Sequence, residues 1–185
     1  DELSEGRIHN GIIGLATPLK APRIADAIDA ALDHDDPLFL LLDEVHYEQN
    51  LGAILRTADA AGVHALVIPK RRGARLSPVS QRIAMGAAEH VPVIHCAVLE
   101  ALSLLKKAGF RVVGADEHAG RFHHQVDLRG PLALVMGGED KGLTPTVRKR
   151  CDTLVSIPMN GHVPSLNVSV STGVLLFERL RQLGS

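Results

Sequence analysis

From Leu38 onward the chain alternates short apolar runs with segments in which apolar residues recur at helical spacing. Leu38 to Asp43 is an unbroken apolar run ending in an acid, the length of one strand buried on both faces. Asn50 to Ala61 carries Leu51, Ile54, Leu55 and Ala58 on one helical face, with Gly62 just past its end as a stop. Ala65 to Pro69, Val91 to Ile94, Arg111 to Gly114, Leu132 to Met136 and Thr153 to Ile157 read as further strands. Helices are predicted from Ser77-Pro78, a cap and first-turn pair, through Ala88, from Leu99 to Ala108, and briefly from Thr144 to Arg150. Val168 to Gln182 closes the chain as a helix, and residues 115–130 read as loop and turn. Ahead of Leu38, Gly11 to Ala16 suggests a short strand. Residues 22–33 suggest an amphipathic helix built on Ile24, Ala27, Ile28, Ala31 and Leu32.

Strands separated by helices predict an α/β fold, a mostly parallel sheet covered by helices. In such sheets ligands gather at the carboxyl ends of the strands. Three polar segments obey that rule, because Asp43 to Asn50, Gly137 to Gly142 and Pro158 to Asn167 all follow predicted strands directly.

Composition narrows the function. The 185 residues suffice for one domain with its own core, and with four Phe, one Tyr and no Trp that core must be aliphatic. Base stacking on an aromatic platform is not expected as a main binding device. The net charge of −1 gives no global pull toward nucleic acid or anionic membrane. Two local clusters, Lys70 to Arg75 and Arg148-Lys149-Arg150, are basic, although such runs are ordinarily solvated surface. Two cysteines, Cys96 and Cys151, are too few for a disulfide scaffold and predict reduced thiols and a cytoplasmic location. No apolar run approaches the ~20 residues of a membrane span, and no metal site is expected from the histidines. Glu117, His118, His123 and His124 are close together but lack ligand spacing.

Each polar segment has a plain structural reading beside a functional one. Asn50 is a natural N-cap, whereas Arg56, set near the buried side of an apolar helix face, must be paired or aimed at an anion. Gly137-Gly138-Glu139-Asp140-Lys141-Gly142 makes a tight turn that also lets another molecule approach the backbone. Its spacing is neither that of a P-loop nor that of a dinucleotide fingerprint. Ser165 is a plausible cap for the last helix, with Asn167 in its first turn. Pro158 and Pro164 bracket a loop whose backbone groups need a partner, which a ligand would supply.

Taken together, Asn50-Leu51-Gly52 to Arg56-Thr57-Ala58, the Gly137 to Leu143 turn, and Ile157-Pro158-Met159 followed by Ser165-Leu166-Asn167-Val168-Ser169 resemble the SpoU/TrmH family of RNA methyltransferases. These belong to the SPOUT superfamily, and the resemblance is strongest to bacterial enzymes that methylate guanosine 2′-hydroxyls in 23S rRNA. It runs from about residue 8 to residue 182.

The resemblance implies a carboxyl-terminal deep trefoil knot that holds S-adenosylmethionine, a feature no periodicity would suggest. It implies cofactor contacts at Met136, Gly137, Gly138, Ile157, Met159, Ser165 and Leu166. The implied catalytic group is Arg56, with Asn50, Glu139, Ser165 and Asn167 positioning the ribose. It implies a homodimer joined through the knots, RNA as substrate and no membrane. Residues 37–185 would form the catalytic domain and residues 1–36 a linker behind an RNA-binding domain like that of a large-subunit ribosomal protein, expected to be absent from this chain. Two departures bear on specificity only: Tyr47-Glu48-Gln49 replaces a common Asp-Pro, and Ser171 stands where alanine is common. The rival readings are a tRNA ribose methyltransferase, a non-catalytic knotted RNA-binding or ribosome-assembly protein, and a generic nucleotide-binding α/β protein.

Overall fold

Six parallel strands form one sheet, in a computed structural model that describes residues 21–71 and 73–184. The strands are β1 (Leu38–Asp43), β2 (Ala65–Ile68), β3 (Val93–His95), β4 (Arg111–Ala115), β5 (Leu132–Gly137) and β6 (Thr153–Val155). Their order across the sheet is β3-β2-β1-β5-β4-β6, and every neighbouring pair is parallel. The chain winds outward from β1 to β3 and then crosses to the other side of β1. The β1–β5 boundary is therefore the point where strand order reverses, and crevices in open α/β sheets form there.

Alternation within each strand divides the core in two. Leu38, Leu40 and Leu42 of β1 and Leu132, Leu134 and Met136 of β5 face one layer. That layer is covered by α2 (Glu48–Ala60), α3 (Pro78–Ala84) and α6 (Val168–Leu183). Phe39, Leu41, Ala133 and Val135 face the other, under α1 (Ile24–Ala31), α4 (Val98–Lys107) and α5 (Pro145–Arg148). Ile24, Ile28 and Ala31 carry α1 into that core. The predicted strand at Gly11 to Ala16 lies outside the described residues.

Several boundaries differ from the sequence reading for local reasons. α3 stops at Ala84 instead of Ala88 because Met85 and Gly86 both take left-handed backbone, at φ 53° and 94°; a 3-10 turn resumes at Ala87–Glu89. β3 starts at Val93, after Pro92, which has no N–H and only accepts from Leu66 N. α2 starts at Glu48, with Tyr47 at the N-cap position and no side-chain cap bond. Asn50 therefore sits inside the first turn rather than capping it.

α6 is held by a residue that periodicity did not single out. Arg179 is buried, and its guanidinium donates to the carbonyls of Leu128, Asp36 and Gly130 at 3.0, 2.8 and 3.1 Å. Those bonds pin the last helix to the entry of β1 and to the loop before β5. Burial pushes its pKa down and Asp36 opposes that, so the charge survives on its fork of acceptors.

Candidate active site

β1 and β5 lie in register with Asp43 opposite Gly137, so the loops leaving them run side by side. The buried Asp43 carboxylate accepts from Thr144 N at 2.7 Å, tying the end of β1 to the far side of the glycine turn. Within that turn Gly138 and Gly142 exchange backbone hydrogen bonds at 3.1 Å in both directions. A side chain at Gly137 would strike the Gly142 carbonyl carbon and Leu143 N, and one at Gly138 would strike the Glu44 carbonyl. Those two glycines are thus demanded by the protein's own backbone, before any ligand is considered. Gly52 is likewise structural: a Cβ there would sit 2.5 Å from Ser80 O, where α2 and α3 touch.

The turn carries Glu139 into a chain of side-chain hydrogen bonds. Asn50 Nδ2 donates to Glu139 Oε1 at 2.7 Å, and Asn167 Nδ2 donates to Asn50 Oδ1 at 3.0 Å. Asn167 Oδ1 in turn accepts from Ser169 N at 2.9 Å and Ser169 Oγ at 2.6 Å. Asn167, not Ser165, is therefore the N-cap of α6, which corrects the sequence reading. Burial pushes the Glu139 carboxyl up. Hydrogen bonds from the Asn50 side chain and from the backbone N–H groups of Glu139 itself, His46 and Tyr47 outweigh it, so the group stays below the ordinary glutamate range.

Next to this chain a cleft of about 600 Å³ opens at the carboxyl ends of β5, β4 and β6. Its wall contains Met136, Gly137, Gly138, Ile157, Met159, Ser165 and Leu166, all seven residues the sequence reading assigned to cofactor contact, together with Glu139 and Asn167. Asn50 reaches the cleft only through its bonds to those last two. Arg56 does not reach it. It is exposed on α2, against the expectation of a place near the buried face, and among the described residues it makes no hydrogen bond or ion pair. Six helical residues separate it from Asn50, about 9 Å along the axis.

One stretch of the wall was missed. Asp116, Glu117 and His118, read as loop, with the last two weighed only as metal ligands and set aside, line the cleft where they leave β4. Asp116 pairs with Arg148 Nε at 3.0 Å and accepts from His118 N at 2.9 Å. The signal was available, since these residues follow a strand as directly as the three segments chosen. Arg148 is accordingly part of the wall and not simply one of a basic surface run.

The lining suits a ligand with a flat apolar part and a polar part. Met136, Val155, Ile157 and Leu166 offer apolar surface. Among the described residues, none of residues 157–166 makes a hydrogen bond through backbone or side chain, leaving a row of donors and acceptors beside that surface. An adenine ring and a methionine-like tail match such a wall in chemistry.

Comparison with known proteins decides the family. Residues 37–177 match the SpoU rRNA Methylase family. The chain belongs to that family. It is 45% identical over 183 residues, covering 98% of this chain and 75% of the relative, to 23S rRNA (guanosine-2′-O-)-methyltransferase RlmB of Salmonella typhi, and 45% identical to that of Escherichia coli K12 over the same span. Among solved structures, the SpoU methyltransferase AviRb from Streptomyces viridochromogenes in complex with AdoMet matches at TM-score 0.75 and 33% identity, over 82% of this chain. An AdoMet-bound rRNA methyltransferase from Sinorhizobium meliloti matches at TM-score 0.81 and 28% identity, over 90% of this chain. This chain spans 60% and 62% of the lengths of those two solved chains. Among the described residues no helix is long and apolar enough to cross a membrane.

Proposed function

We propose that this chain transfers a methyl group from S-adenosylmethionine to a ribose 2′-hydroxyl of RNA, with guanosine in 23S rRNA as the target. The observation that carries the reading is the Glu139–Asn50–Asn167 chain at the edge of the cleft, in a member of a family with relatives named for that reaction. When bound, the cofactor would supply a sulfonium methyl: the ribose oxygen would bond to it as the carbon–sulfur bond breaks, its electrons passing to sulfur and the hydroxyl proton passing to solvent water.

The chain's own residues have the rest of the work. We assign Met136, Gly137, Gly138, Ile157, Met159, Ser165 and Leu166 to holding the cofactor, the apolar members against the base and the unpaired backbone against its polar end. Asn50 spends both polar ends of its amide on Glu139 and Asn167, so its orientation is locked and it locks them in turn. Glu139, ionised by that environment, presents acceptor oxygens at the cleft edge and would orient the ribose hydroxyl. Ser165 stands in the wall with its hydroxyl free of partners among the described residues, available to the ribose or the cofactor.

Arg56 is the assigned catalytic residue. A guanidinium stays protonated in proteins, so it acts as a fixed positive charge and not as a base. Gripping the phosphate beside the target ribose, it lowers the 2′-hydroxyl pKa and aligns the nucleophile. Its exposed position outside the cleft fits a site completed only when RNA and a second subunit are present. The same reading includes a homodimer, a trefoil knot in the segment after β5, a catalytic domain over residues 37–185 and a cytoplasmic location.

Calorimetric titration with S-adenosylmethionine, S-adenosylhomocysteine and ATP, followed by methylation of a 23S rRNA transcript, tests this. Saturable binding of the first two without ATP, and methyl transfer lost in Arg56→Ala with S-adenosylhomocysteine affinity kept, is the expected result. Binding of ATP alone would replace it with a generic nucleotide-binding reading. Full transfer by Arg56→Ala would remove Arg56 from the chemistry.

A further inference from the structure

Outside the cleft, the loop from Ala119 to Gly130 builds a feature that neither the cofactor nor the ribose chemistry uses. It starts at the cleft rim. Phe122 forms a parallel bridge with Ser156, which lines the cleft, and Ser156 Oγ donates toward the carbonyls of Ala119 and Arg121. Phe122 is 41% exposed as a residue although its backbone is pinned. His124 stacks on it, with centroids 5.7 Å apart and planes 23° from parallel. An exposed aromatic held in a stack costs apolar exposure and serves no core.

A second, shallower cavity of about 380 Å³ continues from His124 and is walled by Asp127, Arg129 and Arg181. Arg129 gives Nε and Nη2 to Asp127, and Arg181 gives Nε and Nη2 to Glu178, each as a side-on pair. Both guanidiniums are thereby held in place, with Nη1 making no hydrogen bond among the described residues. Arg121 makes no ion pair among the described residues, and Arg111 spends two N–H groups on the carbonyls of Asp127 and Arg129. Four arginines against two carboxylates leave this surface locally positive on a chain of net charge −1.

We infer that the Phe122–His124 stack and the Arg129–Arg181 cavity form an accessory subsite for one nucleotide of single-stranded RNA, next to the methylation site. A base extends the aromatic stack, and its phosphate meets the Nη1 groups of Arg129 and Arg181. The inference rests on the methyltransferase reading and adds a surface that selects RNA flanking the target nucleotide. Overall the chain is poor in aromatics; one stacked pair at the right place is enough for one base.

The test is fluorescence anisotropy with a labelled single-stranded RNA of about 12 nucleotides, a length in the range that such surfaces cover. The full chain is used, with S-adenosylhomocysteine affinity and thermal midpoint measured alongside. Phe122→Ala is expected to weaken RNA binding at least about fivefold, the low end for losing one stacked base, while Phe122→Tyr restores it. Arg129→Gln is expected to flatten the plot of log affinity against log salt by about 0.7, one phosphate contact on a single strand. Neither substitution should alter S-adenosylhomocysteine affinity. Unchanged RNA affinity in Phe122→Ala, with wild type binding and methylating RNA normally, overturns the subsite and leaves the proposed function standing. Failure of the wild type to bind the single strand at all, while binding S-adenosylhomocysteine, overturns the subsite, and failure to methylate the 23S rRNA transcript overturns the proposed function.

Discussion

Asn50 and Glu139 stand 89 residues apart in the chain and 2.7 Å apart in space, and their hydrogen bond joins the helix after β1 to the turn after β5. Those strands are neighbours at the reversal point of the sheet, so a local event in either loop is felt in the other. The link makes the polar chain a single unit, with Asn50 as its hinge pin.

Asn50→Ala should therefore behave as a positioning defect. Removing the amide frees Glu139 and Asn167 together, and a misplacement of about 1 Å in such a site costs on the order of 10²-fold in rate. Single-turnover methylation should fall by about that factor while S-adenosylhomocysteine binding stays within a few-fold. Normal turnover would show that the chain of bonds is merely structural.

Glu139 predicts a pH signature. Its carboxyl is held below the ordinary glutamate value of 4.5 in the fold. A depressed acid contributes stability that is fully present above its unfolded value and disappears as pH falls through the folded one. Thermal midpoints of wild type and Glu139→Gln should differ most at neutral pH and converge as pH drops below 4.5. A gap that stays constant down to strong acid would contradict the hydrogen-bonded, ionised carboxylate.

Gly137→Ala should damage both fold and cleft. The added methyl meets the Gly142 and Leu143 backbone, which cannot rotate away as a side chain does. Overpacking of this kind costs about 1–3 kcal/mol, visible in urea denaturation, and the displaced turn should weaken S-adenosylhomocysteine binding as well. An unperturbed cofactor affinity would separate the turn from the binding site.

Arg179→Met should be among the most destabilising single changes. It strips charged donors from the carbonyls of Leu128, Asp36 and Gly130 in a buried setting, at a cost of about 3 kcal/mol. Arg179→Lys should recover little, because an ammonium cannot span three acceptors held for a planar fork. Equal stability of the Lys variant and wild type would argue that charge alone, not geometry, matters there.

How much of this was legible beforehand varies residue by residue. Leu38 to Asp43 matched its predicted strand to the residue, since an apolar run bounded by an acid has one buried-strand reading. Phe122 and Arg179 were invisible to periodicity. The first is a lone aromatic in a loop, and the second stands on the buried face of α6, where spacing predicts an apolar residue. Arg56 went the other way: it was read as lying near the buried side of its helix, yet the side chain is exposed because α3 and α6 cover α2 on its other sides.

Sequence alone determined the class of fold, the places where strands hand over to polar loops and, through three short motifs, the family. Those properties are local, set by side-chain period, turn chemistry and residue identity. Tertiary structure alone decided that Asn50 bonds Glu139 instead of capping its helix, and that Asn167 bonds Asn50 across 117 residues of chain. The Asn50–Glu139 bond depends on which strand lies beside β1, and strand order is settled by the packing of the whole sheet, which no window of sequence contains.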